Sequence, residues 1–243
     1  MLRLHHVDVR IAGVHVLRNV SFALAPGMTT ALIGRNGAGK TTTLRTVMGF
    51  IPPAGGELFL GDIALDGVKP HRRPGLGIGY APEDRRLFAG LSVEDNLLLP
   101  AQVAKKPADE GRRRLEMIYE VLPELAELRG RPAGAVSGGQ GKMIALGRAL
   151  MIGTRLVLLD EPFQGLAPAL ASRYASALRR LSEIEPGLTL LITESNPALV
   201  EGLADATLTI ERGEVAETIP SRSHRRAPGD RADDRSRSYD VPS

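Results

Sequence analysis

Residues 34 to 41 read Gly-Arg-Asn-Gly-Ala-Gly-Lys-Thr, which has the spacing G-x-x-x-x-G-K-[ST]. Each residue type has a task in holding a polyphosphate. Glycines let the backbone curl so that successive N–H groups face a β-phosphate. The helix that follows aims its partial positive end at the same anion. The Lys40 ammonium reaches the β- and γ-phosphates, and the Thr41 hydroxyl ligates Mg2+. Gly34, Arg35, Asn36, Gly37, Ala38, Gly39, Lys40, Thr41 and Thr42 are therefore expected to form a nucleotide-binding turn for ATP.

Such a turn needs a carboxylate on its metal side. Leu156-Val157-Leu158-Leu159-Asp160-Glu161 offers one at the end of an apolar run. That is where ligands bind in α/β sheets. Asp160 is expected to hold Mg2+ through water. Glu161 is expected to act as general base on an attacking water, a role worth about 10²–10⁴-fold in rate. Without the phosphate loop, the two acids would merely end a strand.

Residues 136 to 140 read Val-Ser-Gly-Gly-Gln and head a helix containing Arg148-Ala149-Leu150. Alone, Ser137 reads as an N-cap and Gly138-Gly139 as a turn. Placed between the phosphate loop and the acidic strand, Ser-Gly-Gly resembles the signature sequence of ABC ATPases. The resemblance extends from residue 1 to about residue 219. In order, it rests on the phosphate loop, Tyr80-Ala81-Pro82-Glu83, the signature, the acidic strand and Gly165-Leu166.

The resemblance implies two cassettes paired head to tail, as a homodimer or a heterodimer. Ser137, Gly138 and Gly139 would then close on the γ-phosphate of the partner's ATP. It also implies integral-membrane permease subunits, a solute-binding protein acting indirectly, and a place on the cytoplasmic face of the cell membrane. Pro82-Glu83-Asp84-Arg85-Arg86-Leu87-Phe88 and Gly165-Leu166-Ala167-Pro168 are similar to the ATPases of branched-chain amino-acid and urea importers. On that model Glu83 contacts Mg2+ or the attacking water, and its loop senses the permease. Phe88 and Leu91 either meet the permease or pack on the helical insertion.

Three positions depart from the family pattern. Ile11 stands where an aromatic stacks on adenine, an interaction worth about 1–3 kcal/mol. Ser195 stands where a His touches the γ-phosphate; it still donates a hydrogen bond but is shorter and uncharged. The signature continues Gln140-Gly141-Lys142 where Glu-Gln-Gln is commoner. Gly141 early in a helix costs roughly 1 kcal/mol relative to Ala. The expectation is ATP binding and dimer closure with slow turnover, or reliance on a different cassette as partner. An ATP-gated regulatory or dimerisation module without transport is the alternative.

The elements that must position these residues alternate in type. Strands are expected over 2–7, 14–24, 29–33, 57–60, 77–80, 156–159 and 188–193, with a β-pair at 207–210 and 214–218. Helices are expected over 40–48, from the Ser92 cap through Leu98, and over 109–122, 138–151 and 168–185, with a short one from Pro197. The fold class is α/β: a P-loop NTPase core with a mostly parallel sheet, an antiparallel β portion and a helical insertion at about residues 92–150. The cassette spans 1–219. Residues 220–243 are expected to be a disordered, solvated Arg/Asp-rich tail.

Composition agrees. The chain has 243 residues, 43% hydrophobic and 24% charged, ordinary for a globular protein with its own core. No apolar run approaches the 18 or so residues of a membrane span, and the first ten residues lack a signal-peptide core. The absence of Cys excludes disulfides, thiol nucleophiles and zinc–thiolate sites. A net charge of +3 is too small to argue for nucleic acid. Only five of the 31 basic residues are Lys, a compositional bias without functional meaning.

Overall fold

The computed structural model describes residues 1–220; the Arg/Asp-rich tail from Ser221 onward lies outside the described residues. The elements follow in the order β1 (Leu2–Ile11), β2 (Val14–Ala23), β3 (Thr29–Ile33), α1 (Lys40–Val47), β4 (Gly55–Leu60), β5 (Ile63–Ala64) and β6 (Ile78–Ala81). Then come α2 (Val93–Val103), α3 (Ala108–Val121), α4 (Pro123–Glu127), α5 (Gly138–Ile152) and β7 (Leu156–Asp160). The chain continues through α6 (Pro168–Ile184), β8 (Thr189–Glu194), β9 (Ala206–Glu211) and β10 (Glu214–Pro220).

Among the described residues two sheets form. One is four-stranded and antiparallel, in the order β2-β1-β4-β5. The other is six-stranded, in the order β10-β9-β3-β8-β7-β6, parallel except for β10 at its edge. Central strands β3, β7 and β8 are almost wholly buried, which is why they read as continuous apolar runs. Their register sets the site. Ile33 lies opposite Glu194, and Asp160 opposite Thr193, so the carboxyl ends of β3, β7 and β8 finish side by side.

Two apolar clusters hold the layers. Leu17, Leu32, Leu44, Leu58 and Leu158 join the antiparallel sheet and α1 to one face of the parallel sheet. Leu97, Ile118, Leu146, Leu159, Leu178 and Ile192 join the helices to the other face. α5 is buried over most of its length. Its Gly147 admits α2 and α3, because a Cβ there would lie 2.5 Å from Leu97 Cδ2.

Some boundaries differ from expectation. α2 runs on to Val103 through Pro100, because Leu97 and Ala101 continue its buried face against the core. That burial offsets the hydrogen bond the proline cannot donate. β5 and α4 have no clear sequence pattern; each is short and is held by its neighbours.

Arg73 is 3% exposed and faces carbonyls, with no carboxylate hydrogen-bonded to it among the described residues. Its guanidinium donates to Thr46 O and Val47 O at the end of α1, and to Leu65 O and Val68 O. It thereby caps the helix that begins at the phosphate loop. Arg73→Met leaves these acceptors dry and is expected to cost roughly 3 kcal/mol. Thermal melting should then fall by about 6–12 °C; an unchanged melting temperature would mean that water replaces the guanidinium.

Candidate functional site

The phosphate loop leaves β3 through Gly34, where a Cβ would sit 2.4 Å from Ile210 O of β9. Gly37 and Gly39 adopt φ of 81° and 115°, in the left-handed region that glycine tolerates. α1 then starts at Lys40 with no side-chain cap and no acid in its first turn. Its first N–H groups are thus left for an anion.

Lys40 is 4% exposed. Its Nζ donates to Gly34 O at 2.7 Å and Arg35 O at 3.2 Å, and lies 3.3 Å from Ser195 Oγ. It also pairs with Glu161 Oε1 at 2.9 Å. The cation expected to meet phosphate thus rests on the carboxylate expected to act on water. Ser195 Oγ lies within hydrogen-bond reach of both Glu161 Oε1 (3.0 Å) and Asn36 Oδ1 (2.9 Å), and its one proton serves either.

Asp160 is 2% exposed, and three hydroxyls surround its carboxylate. Thr41 Oγ1 and Thr193 Oγ1 donate to Oδ1 at 3.0 and 2.9 Å, and Tyr80 OH donates to Oδ2 at 3.1 Å. Burial pushes the Asp160 carboxyl above its ordinary value; the three hydroxyls oppose that, and the charge of Glu161 adds to it. Burial and the Asp160 charge push the Tyr80 phenol well up, so it remains a donor. A hard-oxygen set of Thr41 and Asp160 beside a phosphate loop fits Mg2+.

Glu161 adopts φ of 44°. That region costs a residue other than glycine about 1–3 kcal/mol unless its surroundings enforce it. Its N–H donates to Thr193 O at 3.1 Å. Next to it, Glu194 is 1% exposed and accepts from Phe163 N at 2.9 Å. Burial pushes the Glu194 carboxyl up to about 7.

The remaining expected residues lie elsewhere. Ile11 is 42% exposed at the tip of the β1–β2 hairpin and pairs with Val14, 64% exposed. Glu83 is exposed, and no hydrogen bond or ion pair holds it among the described residues. The structure also brings Tyr80, from the same segment, to Asp160, because β6 lies beside β7.

Ser137 caps α5 in a capping box: Gln140 N donates to Ser137 Oγ at 3.2 Å, and Ser137 N donates to Gln140 Oε1 at 2.9 Å. Ser137 and Gly138 are exposed, Gly139 less so. No hydrogen bond ties them to the phosphate loop of this chain among the described residues. Tyr80, Thr193 and Lys142 were missed as site residues, since only strand register and the placement of α5 bring them in.

Comparison with known proteins agrees with this geometry. The family model described as "ABC transporter" matches residues 17–164. A probable branched-chain amino acid transport ATP-binding protein LivF of Archaeoglobus fulgidus is 32% identical over 89% of this chain and 90% of its own length. The high-affinity branched-chain amino acid transport ATP-binding protein BraG of Pseudomonas aeruginosa is 34% identical over 88% of this chain and 91% of its own. Among solved structures, the ADP conformation of MJ1267, an ATP-binding cassette of an ABC transporter, superposes with a TM-score of 0.78. It is 26% identical, over 90% of this chain and 91% of that one. With a phosphate loop and an acidic strand that meet at the ends of a parallel sheet, this chain belongs to the ABC transporter family, as one of its ATP-binding domains.

Proposed function

We propose that the chain is the ATP-hydrolysing subunit of an importer for branched-chain amino acids, working at the cytoplasmic face of the membrane as a head-to-tail pair of cassettes. The observation that carries the catalytic reading is the buried Lys40–Glu161 pair beside Asp160 and Thr41.

Thr41 and Asp160 would hold Mg2+, which when bound neutralises charge building up between the β- and γ-phosphates. The γ-phosphate competes with Glu161 for the Lys40 ammonium. Once released, the Glu161 carboxylate is free to take a proton from water. Ser195 Oγ, within reach of both side chains, turns its hydrogen bond to the phosphate. A hydroxyl is a weaker donor than an imidazolium, and Ile11 with Val14 holds adenine by apolar contact alone. Slow turnover by the isolated chain follows from both. The exposed Ser137 end of α5 serves the ATP of a second cassette.

A groove of about 820 Å³ between the core and the helical insertion receives the permease. Phe50, Phe88 and Val103 line it and are 51%, 51% and 75% exposed. Five arginines and His71 also line it, and no carboxylate does among the described residues. Arg148 stacks over Phe88 at 5.3 Å and donates to Arg86 O, while its Nε is buried without a partner among the described residues. The groove suits a short apolar helix bearing an acid. Leu91 is absent from this lining; its carbonyl accepts from Ala133 N at 2.9 Å.

Co-purification with the membrane subunits tests the proposal. Val103→Asp adds a charge to an exposed wall without touching the ATP site. It is expected to reduce capture of the permease at least about tenfold while leaving ATP affinity unchanged. Undiminished capture would move the docking face elsewhere. A chain that binds ATP and dimerises but captures no permease would favour the regulatory module.

A further inference from the structure

The unusual Gln140-Gly141-Lys142 sequence has a structural counterpart. Gly141 is buried, and a Cβ there would lie 3.2 Å from Arg85 Cδ. Arg85 crosses the start of α5, and its Nη1 donates to Gly138 O at 3.1 Å. From the next position, Lys142 is half-buried and reaches towards the core. Its Nζ donates to the backbone carbonyl of Glu161 at 2.6 Å.

Glu161 has a main chain that must be held. Its φ is 44°, where side chains are rarely found. On one side its N–H is fixed to Thr193 O at 3.1 Å. On the other, its carbonyl accepts the Lys142 ammonium and, at 3.3 Å, the N–H of Gln164. The ammonium bond is charge-assisted and is the shorter of the two. Burial disfavours the charged form of Lys142; Glu194, Glu83 and Glu161 favour it, and Arg85 opposes it. The cation therefore sits among carboxylates while its hydrogen bond goes to a carbonyl.

We infer that Lys142 is a positioning residue: its ammonium ties the signature helix to the main chain of Glu161, so the aim of the base depends on where α5 sits. The inference rests on Glu161 being the base. It adds a route between the two composite sites. The exposed end of α5 engages the nucleotide of the second cassette, and Lys142, little more than one turn further on, grips the base of its own chain. Closure on one ATP thereby sets the geometry for hydrolysis of the other. A chain with an uncharged apolar side chain here keeps the packing and loses the tie.

The test uses the full chain with Mg-ATP, reading single-turnover and steady-state phosphate release together with ATP binding by calorimetry. Lys142→Met is expected to lower kcat about tenfold, with KM and the ATP Kd within about twofold of the parent. Lys142→Arg, which keeps donor and charge, should restore at least about half of the lost rate. In a Glu161→Gln background, Lys142→Met should cause no further loss, because the group it aims is gone. Lys142→Leu, which also lacks a donor, carries the same test should the Met variant not fold. A kcat equal to the parent's, losses that multiply in the double variant, or no recovery with Arg would each overturn the inference. A parent chain that neither binds nor turns over ATP defeats the site reading itself, which is seen before any variant is measured.

Discussion

Glu161→Gln is expected to reduce phosphate release by about 10²–10⁴-fold while tightening ATP binding. Both effects follow from the buried pair. The Lys40 ammonium is held at 2.9 Å by the Glu161 carboxylate, with both side chains under 10% exposed. On the proposed reading, ATP must break that contact before its γ-phosphate takes the cation. An amide keeps an acceptor near Lys40 but removes the charge, so the competitor is weaker. It also cannot accept a proton from water. The nucleotide-free variant should melt below the parent, because a buried ammonium has lost its counter-charge. The ATP-induced rise in melting temperature should grow, since binding stabilises the folded state by mass action. An ATP Kd improved by about tenfold would correspond to roughly 1.4 kcal/mol transferred from the resting pair. With hydrolysis blocked, Mg-ATP should also drive the chain to a dimer in light scattering. Persistence of parental turnover would remove Glu161 from the role of base.

The placement of Asp160 and Glu161 at the end of β7 was readable from sequence because the pattern that sets it is local. Four apolar residues and two acids make a buried strand with a charged end, and the phosphate loop says what that end faces. The loop itself is eight contiguous residues whose types each have a task. Tyr80 and Thr193 were not readable in the same way. Their hydroxyls reach Asp160 because β6, β7 and β8 lie adjacent in register, and nothing in the local spacing encodes that adjacency. Glu83 is the expected acid of its loop, and the strand before it also delivers the Tyr80 hydroxyl to Asp160. Ser137 was readable twice over. Its capping role is visible in one chain, whereas the role proposed for it towards nucleotide needs a second. Lys142 looked like a deviation because a signature is read as a string, while its ammonium acts through space on a residue 19 positions away. The fold was legible where burial made strands continuous and helices periodic. It was not legible at α2, where packing carries a helix through Pro100.

Lys40→Ala is the companion experiment, and it should fail in two separable ways. The first is binding: without the ammonium, the loop offers only N–H groups and the start of α1 to a polyphosphate. ATP affinity is expected to fall at least about 10²-fold, the scale of a lost charge-assisted contact in a buried setting. The second is stability in the absence of any nucleotide. Lys40 is 4% exposed and bonded to Gly34 O, Arg35 O and Glu161 Oε1, so its removal leaves the Glu161 carboxylate buried with Ser195 as its remaining side-chain hydrogen-bond partner among the described residues. Breaking a buried pair from one side costs about 3–5 kcal/mol. For a chain of this size that is a melting temperature lower by roughly 6–20 °C. Adding Glu161→Gln to Lys40→Ala removes the stranded charge and should recover more than about half of the lost stability, though none of the lost binding. That asymmetry separates the two roles of the lysine. If Lys40→Ala melts with the parent, or if Glu161→Gln lowers its stability further, the resting pair is not the device that keeps base and cation together before ATP arrives.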